Sequence, residues 1–360
     1  MRDSLFERFN ASFSSVPPAP AGRRSRFPSL MRATVLLCAA LVCAPTAAQI
    51  LPEPDKAKTT AEILGGVVAI RVQTVKHARS PSTAGPERHG TGVVVDPGGL
   101  ILTSALLVEE ADSIVVTTFD ARTVAASVAA QDPAIGIAVL RPAAALGVRP
   151  LPVGSSDALE LRAPVTVAAA ARGRAVSVAT VVEKRDFAAA HEFLVENAIF
   201  TAPLVRECAG AALVDGTGRL VGIGVLPANG VRDAAAEPAP GNVFIPVDRF
   251  LPALAHLARA DGSRLPPRPW LGLVTTQSSE GLVVTEIPPD SPAERAGVRS
   301  GDAILAVDGT PVRTRAELYR GIWRAGRPGT TVRLMIERGG TTREIPVRTI
   351  EAQDYLIHRA

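Results

Sequence analysis

The sequence is poor in aromatic residues and in cysteine. Phe, Tyr and Trp make up only 4% of the 360 residues, so hydrophobic cores must be built mainly from Val, Leu, Ile and Ala. Two of the three cysteines lie within the first 48 residues, which leaves Cys208 alone in the rest of the chain. A single thiol excludes an intrachain disulfide there and a metal site built from several cysteines. We predict neither a metal nor a cofactor.

The first 48 residues differ from the rest. Residues 1–30 are rich in Arg, Ser, Pro and Phe without a hydrophobic period, and we interpret them as an unstructured or mis-called N-terminal extension. In residues 31–48 a basic residue precedes an apolar run, and the small residues Thr46-Ala47-Ala48 follow it as a cleavage site. This order is typical of a Sec-type signal peptide. This predicts a periplasmic or secreted protein. A short membrane anchor is the alternative.

The positive charge of the chain is concentrated in this leader. The formal net charge is +4, from 39 basic and 35 acidic residues, and the first 48 residues hold six Arg and two acids. Without them, 33 basic and 33 acidic residues remain. Binding to nucleic acid needs a clustered basic face, which nothing in this neutral remainder suggests, so we predict no nucleic-acid partner.

Short β-type runs separated by turns rich in Gly and Pro begin near residue 67. Val93–Val95 and Leu100–Thr103, for example, flank the turn sequence Asp96-Pro97-Gly98-Gly99, which predicts a β-hairpin. Many such runs without a long helical period predict a mainly β domain. The pattern alone leaves open whether it is a barrel or a sandwich.

Several segments of this region resemble the HtrA/Deg family of trypsin-like serine proteases. In chain order they are GTGVVVDPGGLILTSALLV, QDPAIGIAVLRP, LPVGSSDALELRAPVTVAAA, ECAGAALVDGTGRLVGIGV and NVFIPVDRF. Their order and spacing hold from Val67 to Phe250. The resemblance implies a trypsin-like double β-barrel, which we expect to occupy residues 49–258.

The resemblance also locates the family's catalytic triad. The histidine falls on Leu106, the aspartate on Gly136 and the nucleophilic serine on Ala209. A triad needs an imidazole, a carboxylate and a hydroxyl, which these residues do not carry. In the family, a glycine-rich loop forms the oxyanion hole. Glu207 replaces the first glycine of that loop, so the loop is degenerate in this chain. We therefore expect a pseudoprotease, a chain that is not an enzyme.

Two alternatives stay open. Cys208, beside the nucleophile position, is the candidate for a rearranged active site of an HtrA-like serine-type endopeptidase. A reactive cysteine needs a base or a positive neighbour, and the ordinary interpretation is a small space-filling residue. The second alternative is that the chain is a regulatory subunit of an active paralogue, in a homo- or hetero-oligomer. Active family members form trimers through aromatic contacts, and residues 50–66 contain no aromatic residue.

A second resemblance follows a Gly-, Ser- and Pro-rich linker at residues 259–269. Residues 270–350 resemble an α+β PDZ domain through LGL, SPAERAGVRSGDAIL and VDGTPV, and residues 351–360 form a C-terminal tail. The resemblance implies that Leu271, Gly272 and Leu273 form the carboxylate-binding loop. Successive backbone N–H groups in such a loop hold the free carboxylate of a peptide.

The PDZ resemblance also implies a groove beside this loop. Thr314 to Glu317 reads as a capping box that begins a helix. On that helix, Leu318 and Ile322 either line the groove or pack the domain core. We predict that the PDZ domain binds protein C-termini or unfolded polypeptides. The whole chain would then act as an adaptor, chaperone-like or regulatory component of envelope protein quality control.

Overall fold

The computed structural model describes residues 60–76, 78, 85–189, 192–231, 239–251, 266–279 and 281–356. The N-terminal extension and the signal peptide predicted from the sequence lie outside the described residues, as does most of the predicted linker. No helix within the described ranges has the length and apolar character needed to cross a bilayer.

The first half of the protease-like region is a closed six-stranded barrel. Its strands pair in the order β1-β2-β3-β6-β5-β4. They are β1 (Val67–Thr74), β2 (Glu87–Val94), β3 (Ile101–Ser104), β4 (Ala111–Thr117), β5 (Thr123–Asp132) and β6 (Ile137–Pro142). Helix α1 (Thr60–Gly65) precedes β1 and helix α2 (Ala105–Val108) follows β3. The buried apolar side chains along these strands are Val, Ile, Leu and Ala, as the scarcity of aromatic residues requires, and Arg88, Thr91, Thr103 and Ser104 are buried beside them.

The second half is another closed six-stranded barrel, with the order β10-β11-β12-β9-β8-β7. Its strands are β7 (Pro164–Ala169), β8 (Ala175–Ala189), β9 (Phe193–Ala202), β10 (Ala212–Val214), β11 (Leu220–Val231) and β12 (Ala239–Pro246). A short 3₁₀ helix (Val247–Arg249) follows β12. The predicted trypsin-like double barrel is therefore confirmed.

Three of the few aromatic residues pack together in the second barrel. Phe187 contacts Phe193 and Phe200 in edge-to-face geometry, with ring centroids 6.1 and 6.0 Å apart. Such pairs add to the burial of their apolar area. All three residues lie on the hairpin made by β8 and β9. The tip of this hairpin contacts the C-terminal domain.

The C-terminal domain has the α+β architecture expected of a PDZ domain. Its main sheet has the order β14-β15-β16-β18-β19, with β17 beside β16, while β13 and β20 form a separate pair. The strands are β13 (Pro269–Trp270), β14 (Val274–Ser278), β15 (Gly281–Glu286), β16 (Ala303–Val307), β17 (Thr310–Pro311), β18 (Thr331–Arg338), β19 (Thr341–Arg348) and β20 (Ile350–Glu351). The helices are α3 (Pro292–Ala296), α4 (Arg315–Arg324) and α5 (Ala352–Leu356). Strand β14 lies at the edge of its sheet.

Helix α4 begins at the predicted capping box. The Thr314 hydroxyl accepts from the Glu317 N–H at 3.2 Å, and the Glu317 carboxylate accepts from the Thr314 N–H at 3.2 Å. The reciprocal pair satisfies N–H groups that the first helical turn leaves without partners. The capping box fixes the start of the helix that flanks the groove.

Residues 350–356 pack back onto the start of the PDZ domain. Strand β20 pairs with β13, and the Tyr355 ring lies 4.8 Å from that of Trp270 between centroids. The Tyr355 hydroxyl donates to the Pro289 carbonyl at 2.9 Å. Residues 350–356 thus pack against the PDZ domain.

Candidate functional site

Two regions of the molecule carry the residues singled out from the sequence. The first adjoins the three triad-equivalent positions. Leu106 on α2 is 40% exposed, while Gly136 lies in the turn before β6 and its carbonyl accepts from the Ala105 N–H at 2.8 Å. The Ala209 carbonyl accepts from the Thr91 N–H of β2 at 2.9 Å. Backbone hydrogen bonds therefore join the turn at Gly136 to helix α2 and the loop at Ala209 to strand β2.

A phenylalanine ring occupies the space that a side chain at position 136 would need. Gly136 has φ +82°, and a Cβ added there would lie 2.8 Å from Cζ of Phe193 and closer still to Cε2. Real side chains do not tolerate such contacts. The ring belongs to the first residue of β9. Packing of the β8–β9 hairpin tip therefore leaves room only for glycine at position 136.

The loop around position 209 holds a buried thiol and an engaged carboxylate. Cys208 is 1% exposed, and burial raises the pKa of its thiol to about 12. A thiol with that pKa is protonated at neutral pH and is a poor nucleophile. Glu207 accepts from the Arg172 N–H at 3.1 Å. The geometry gives no support to a rearranged active site at Cys208. Over the described part of the chain, no three His, Cys, Asp or Glu side chains group as metal ligands would.

The second region is the predicted carboxylate-binding loop, and it does hold a carboxylate. The N–H groups of Leu271, Gly272 and Leu273 donate to Oε1 of Glu192 at 3.1, 2.7 and 3.1 Å. The Leu271 N–H also lies 3.1 Å from Oε2. Three successive N–H groups therefore converge on one anionic group, as the loop's expected function requires.

Gly272 is required by the conformation of this loop. Its φ is +79°, and an added Cβ would lie 2.9 Å from the Trp270 ring and overlap Cβ of Ser291. The Ala293 N–H of α3 donates to the Leu271 carbonyl at 2.8 Å, which supports the loop from behind. The loop is therefore held in place before any ligand arrives.

Glu192 is an unusual residue for this contact. Its carboxylate is buried, and burial raises its pKa to about 7, although the three N–H donors act in the opposite direction. Its backbone has φ +56°, a left-handed conformation that costs a non-glycine residue about 1 kcal/mol. The sequence gives no signal for Glu192, because the contact joins residues about eighty positions apart on two domains.

The predicted groove residues are fully buried. Leu318 and Ile322 lie in the PDZ core, and the same cluster includes Leu194 from the β8–β9 hairpin. These positions therefore pack the core of the PDZ domain. The hairpin contacts helix α4.

Further polar contacts hold the hairpin against helix α4. The buried Tyr319 hydroxyl donates to the Ala189 carbonyl at 2.6 Å. Arg320 pairs with Glu196 at 2.9 Å and with Asp186 in a shorter contact. Buried hydrogen bonds of this kind contribute more than exposed ion pairs do.

Comparisons with known proteins agree with both domains. A family model described as a trypsin-like peptidase domain matches residues 90–223, and one described as a PDZ domain matches residues 269–349. The fold and the loop thus define a trypsin-like barrel protein with a C-terminal PDZ domain, a domain type that binds peptides or C-termini.

Curated relatives narrow this class to a family. The serine endoprotease DegS of Haemophilus influenzae is 30% identical over 268 residues, which cover 72% of this chain and 76% of that protein. A protein of Halomonas elongata, whose name describes a DegP-like periplasmic serine endoprotease, is 28% identical over 72% of this chain and 55% of its own length. The chain belongs to the HtrA/Deg family of serine proteases.

A solved structure agrees at the level of the fold. The HtrA-type protease AlgW with a decapeptide superposes with a TM-score of 0.52, at 20% identity, over 82% of this chain and 99% of the AlgW chain.

These names correct one expectation from the sequence. The residues at positions 106, 136 and 209 led us to expect a chain that is not an enzyme. The curated relatives are named serine endoproteases, and that finding contradicts the expectation. The prediction was wrong because it rested on three positions alone, whereas the similarity extends over both domains.

Proposed function

We propose that this chain captures the C-termini or unfolded segments of other proteins through its PDZ loop. The observation that carries the proposal is the convergence of the Leu271, Gly272 and Leu273 N–H groups on a carboxylate. A peptide's C-terminal carboxylate offers the same two oxygens and the same charge. Strand β14, at the sheet edge beside the loop, can pair with an extended peptide.

The setting we propose is protein quality control in the bacterial envelope. The leader in residues 31–48 supports export, and the name of the Halomonas relative supports a periplasmic location. We propose residues 49–258 as the barrel domain and 270–350 as the PDZ domain.

The reaction class that we carry over from the relatives is endoproteolysis. Leu106, Gly136 and Ala209 have no hydroxyl, imidazole or carboxylate, so cleavage by this chain needs a nucleophile from another position. The comparisons do not favour a regulatory subunit of an active paralogue, and burial of the Cys208 thiol argues against that residue as the nucleophile, so we propose neither of these.

Two parallel assays on the chain without its predicted leader test this function. The first measures binding of fluorescent peptides with free and amidated C-termini. The second measures cleavage of unfolded casein beside an active HtrA-type enzyme. We expect binding that is lost on amidation, because the amide removes the negative charge that the loop holds.

The controls separate binding from cleavage. Equal binding of free and amidated peptides would contradict capture by the carboxylate loop. Casein cleavage that survives repurification would support the endoprotease class. Such cleavage should persist in Cys208→Ala, since a buried thiol with a pKa of about 12 is not the nucleophile.

A further inference from the structure

A glutamate of the barrel domain occupies the loop that a peptide carboxylate would enter. Oε1 of Glu192 accepts from the N–H groups of Leu271, Gly272 and Leu273, and Oε2 lies within reach of the first. The Glu192 residue is 3% exposed. All three N–H groups that the loop offers to a ligand are therefore already engaged.

Residues on both sides of Glu192 contact helix α4. Leu194 is fully buried in one cluster with Leu318 and Ile322 of helix α4. On the other strand of the hairpin, the Ala189 carbonyl accepts from the Tyr319 hydroxyl. The residues on both sides of the tip thus contact the helix that borders the peptide groove.

We propose that Glu192 is an internal ligand of the carboxylate-binding loop, and that a peptide C-terminus binds only by displacing it. This inference rests on the proposed function, because it concerns the same loop. Two carboxylates do not share the same three N–H donors. The apparent affinity for a peptide is therefore reduced by the fraction of molecules in which Glu192 is docked.

Two properties weaken the binding of Glu192 to the loop relative to that of a peptide C-terminus. Its left-handed backbone, at φ +56°, is strained for a residue with a Cβ. Burial also raises the pKa of its carboxyl to about 7, so the docked state disfavours the ionised carboxylate that Glu192 carries in water at neutral pH. A peptide C-terminus, with a reference pKa of about 3.5, is fully ionised there. A peptide ligand can therefore compete for the loop.

The test compares the full chain with two variants. Glu192→Gly removes the carboxylate and suits a positive φ. Glu183→Gln is the control on the same hairpin, because Glu183 pairs with Arg185 of its own strand at 2.7 Å. The probe is a pool of fluorescein-labelled decapeptides that end in Val, Leu or Phe, with free or amidated C-termini. Fluorescence anisotropy gives the Kd.

We expect Glu192→Gly to lower the Kd for free-carboxylate peptides at least tenfold, with Glu183→Gln equal to the parent chain. Equal Kd values for the parent and Glu192→Gly, with binding still lost on amidation, would overturn the inference and leave the proposed function intact. Failure of every chain to bind free-carboxylate peptides would instead contradict the proposed function.

Hydrogen exchange tests the internal contact without a peptide. The amides of Leu271, Gly272 and Leu273 should exchange at least tenfold faster in Glu192→Gly than in Glu183→Gln. Unchanged protection would show that Glu192 does not hold the loop. If circular dichroism shows that Glu192→Gly is unfolded, Glu192→Ala serves in its place. It also removes both side-chain oxygens, and the same tenfold criteria apply to it.

Discussion

Two consecutive residues at one hairpin tip close two different sites, and they do so by different physical means. Phe193 fills the space beside Gly136 in the barrel with an apolar ring, whereas Glu192 fills the PDZ loop with a carboxylate. An apolar ring is held by packing and leaves only if the structure around it rearranges. A carboxylate held by N–H donors can be replaced by another carboxylate. One closure is therefore structural and the other is exchangeable.

The largest expected effect breaks the apolar closure. Gly136→Asp places a side chain in the Phe193 ring and forces a positive φ, so we expect a loss of about 4 kcal/mol or more in the free energy of unfolding. Gly309→Asp is the matched control, since φ is +76° and an added Cβ would meet no atom within 4 Å. Strain alone should cost it about 1 kcal/mol. Urea denaturation of both variants measures the difference, and equal losses would show that the ring is easily moved.

A smaller effect comes from the hydrogen bond that holds the hairpin to helix α4. Tyr319→Phe leaves the Ala189 carbonyl without this buried donor, and we expect a loss of about 1–2 kcal/mol in the free energy of unfolding. Tyr355→Phe is the control, because its hydroxyl bonds Pro289 within the PDZ domain at a more exposed site. Thermal unfolding compares the two. If Tyr319→Phe were the milder change, the hairpin would be held by other contacts.

The sequence predicted strands and turns because their signals are local, whereas the choice of a double barrel came from the resemblance to the HtrA/Deg family. Alternating β-branched residues and Gly-rich turns identify the strands, the capping box at Thr314 begins α4, and Gly272 marks the loop that needs a positive φ. The occupant of the loop was not predictable in this way. Glu192 is one acidic residue in a hairpin, and neither its φ of +56° nor its partners on another domain leave a pattern in neighbouring residues.

The exchangeable closure should depend on pH. The pKa of Glu192 is about 7 when docked, and it returns toward the ordinary glutamate value of about 4.3 when the side chain is in water. Docking therefore takes up a proton, so the docked state is most favoured below the free pKa and is weakened as pH rises through 7. We expect peptide affinity to increase severalfold from pH 5 to pH 8, as measured by fluorescence anisotropy.

The control for this prediction separates Glu192 from its surroundings. Among the described residues, Tyr319 is a titratable group that interacts electrostatically with Glu192. Burial raises the pKa of Tyr319 above this pH range, so Tyr319 stays neutral throughout. His191 precedes Glu192 in the sequence, and histidine is the side-chain type whose charge ordinarily changes between pH 5 and 8. The pH dependence should persist in His191→Gln and disappear in Glu192→Gln. The opposite result would assign the dependence to the histidine.

The smallest expected effect concerns the exposed ion pairs beside the tip. Arg320 contacts Glu196 and Asp186, but about a third of its side chain is exposed to solvent. Exposed pairs contribute about 0–1 kcal/mol because water and salt screen them. We therefore expect Arg320→Gln to change peptide affinity less than threefold at 0.15 M salt, with Arg333→Gln as the control for an exposed pair within the PDZ domain. A tenfold gain in affinity would mean that charge at the rim, rather than the buried carboxylate of Glu192, holds the hairpin against the PDZ domain.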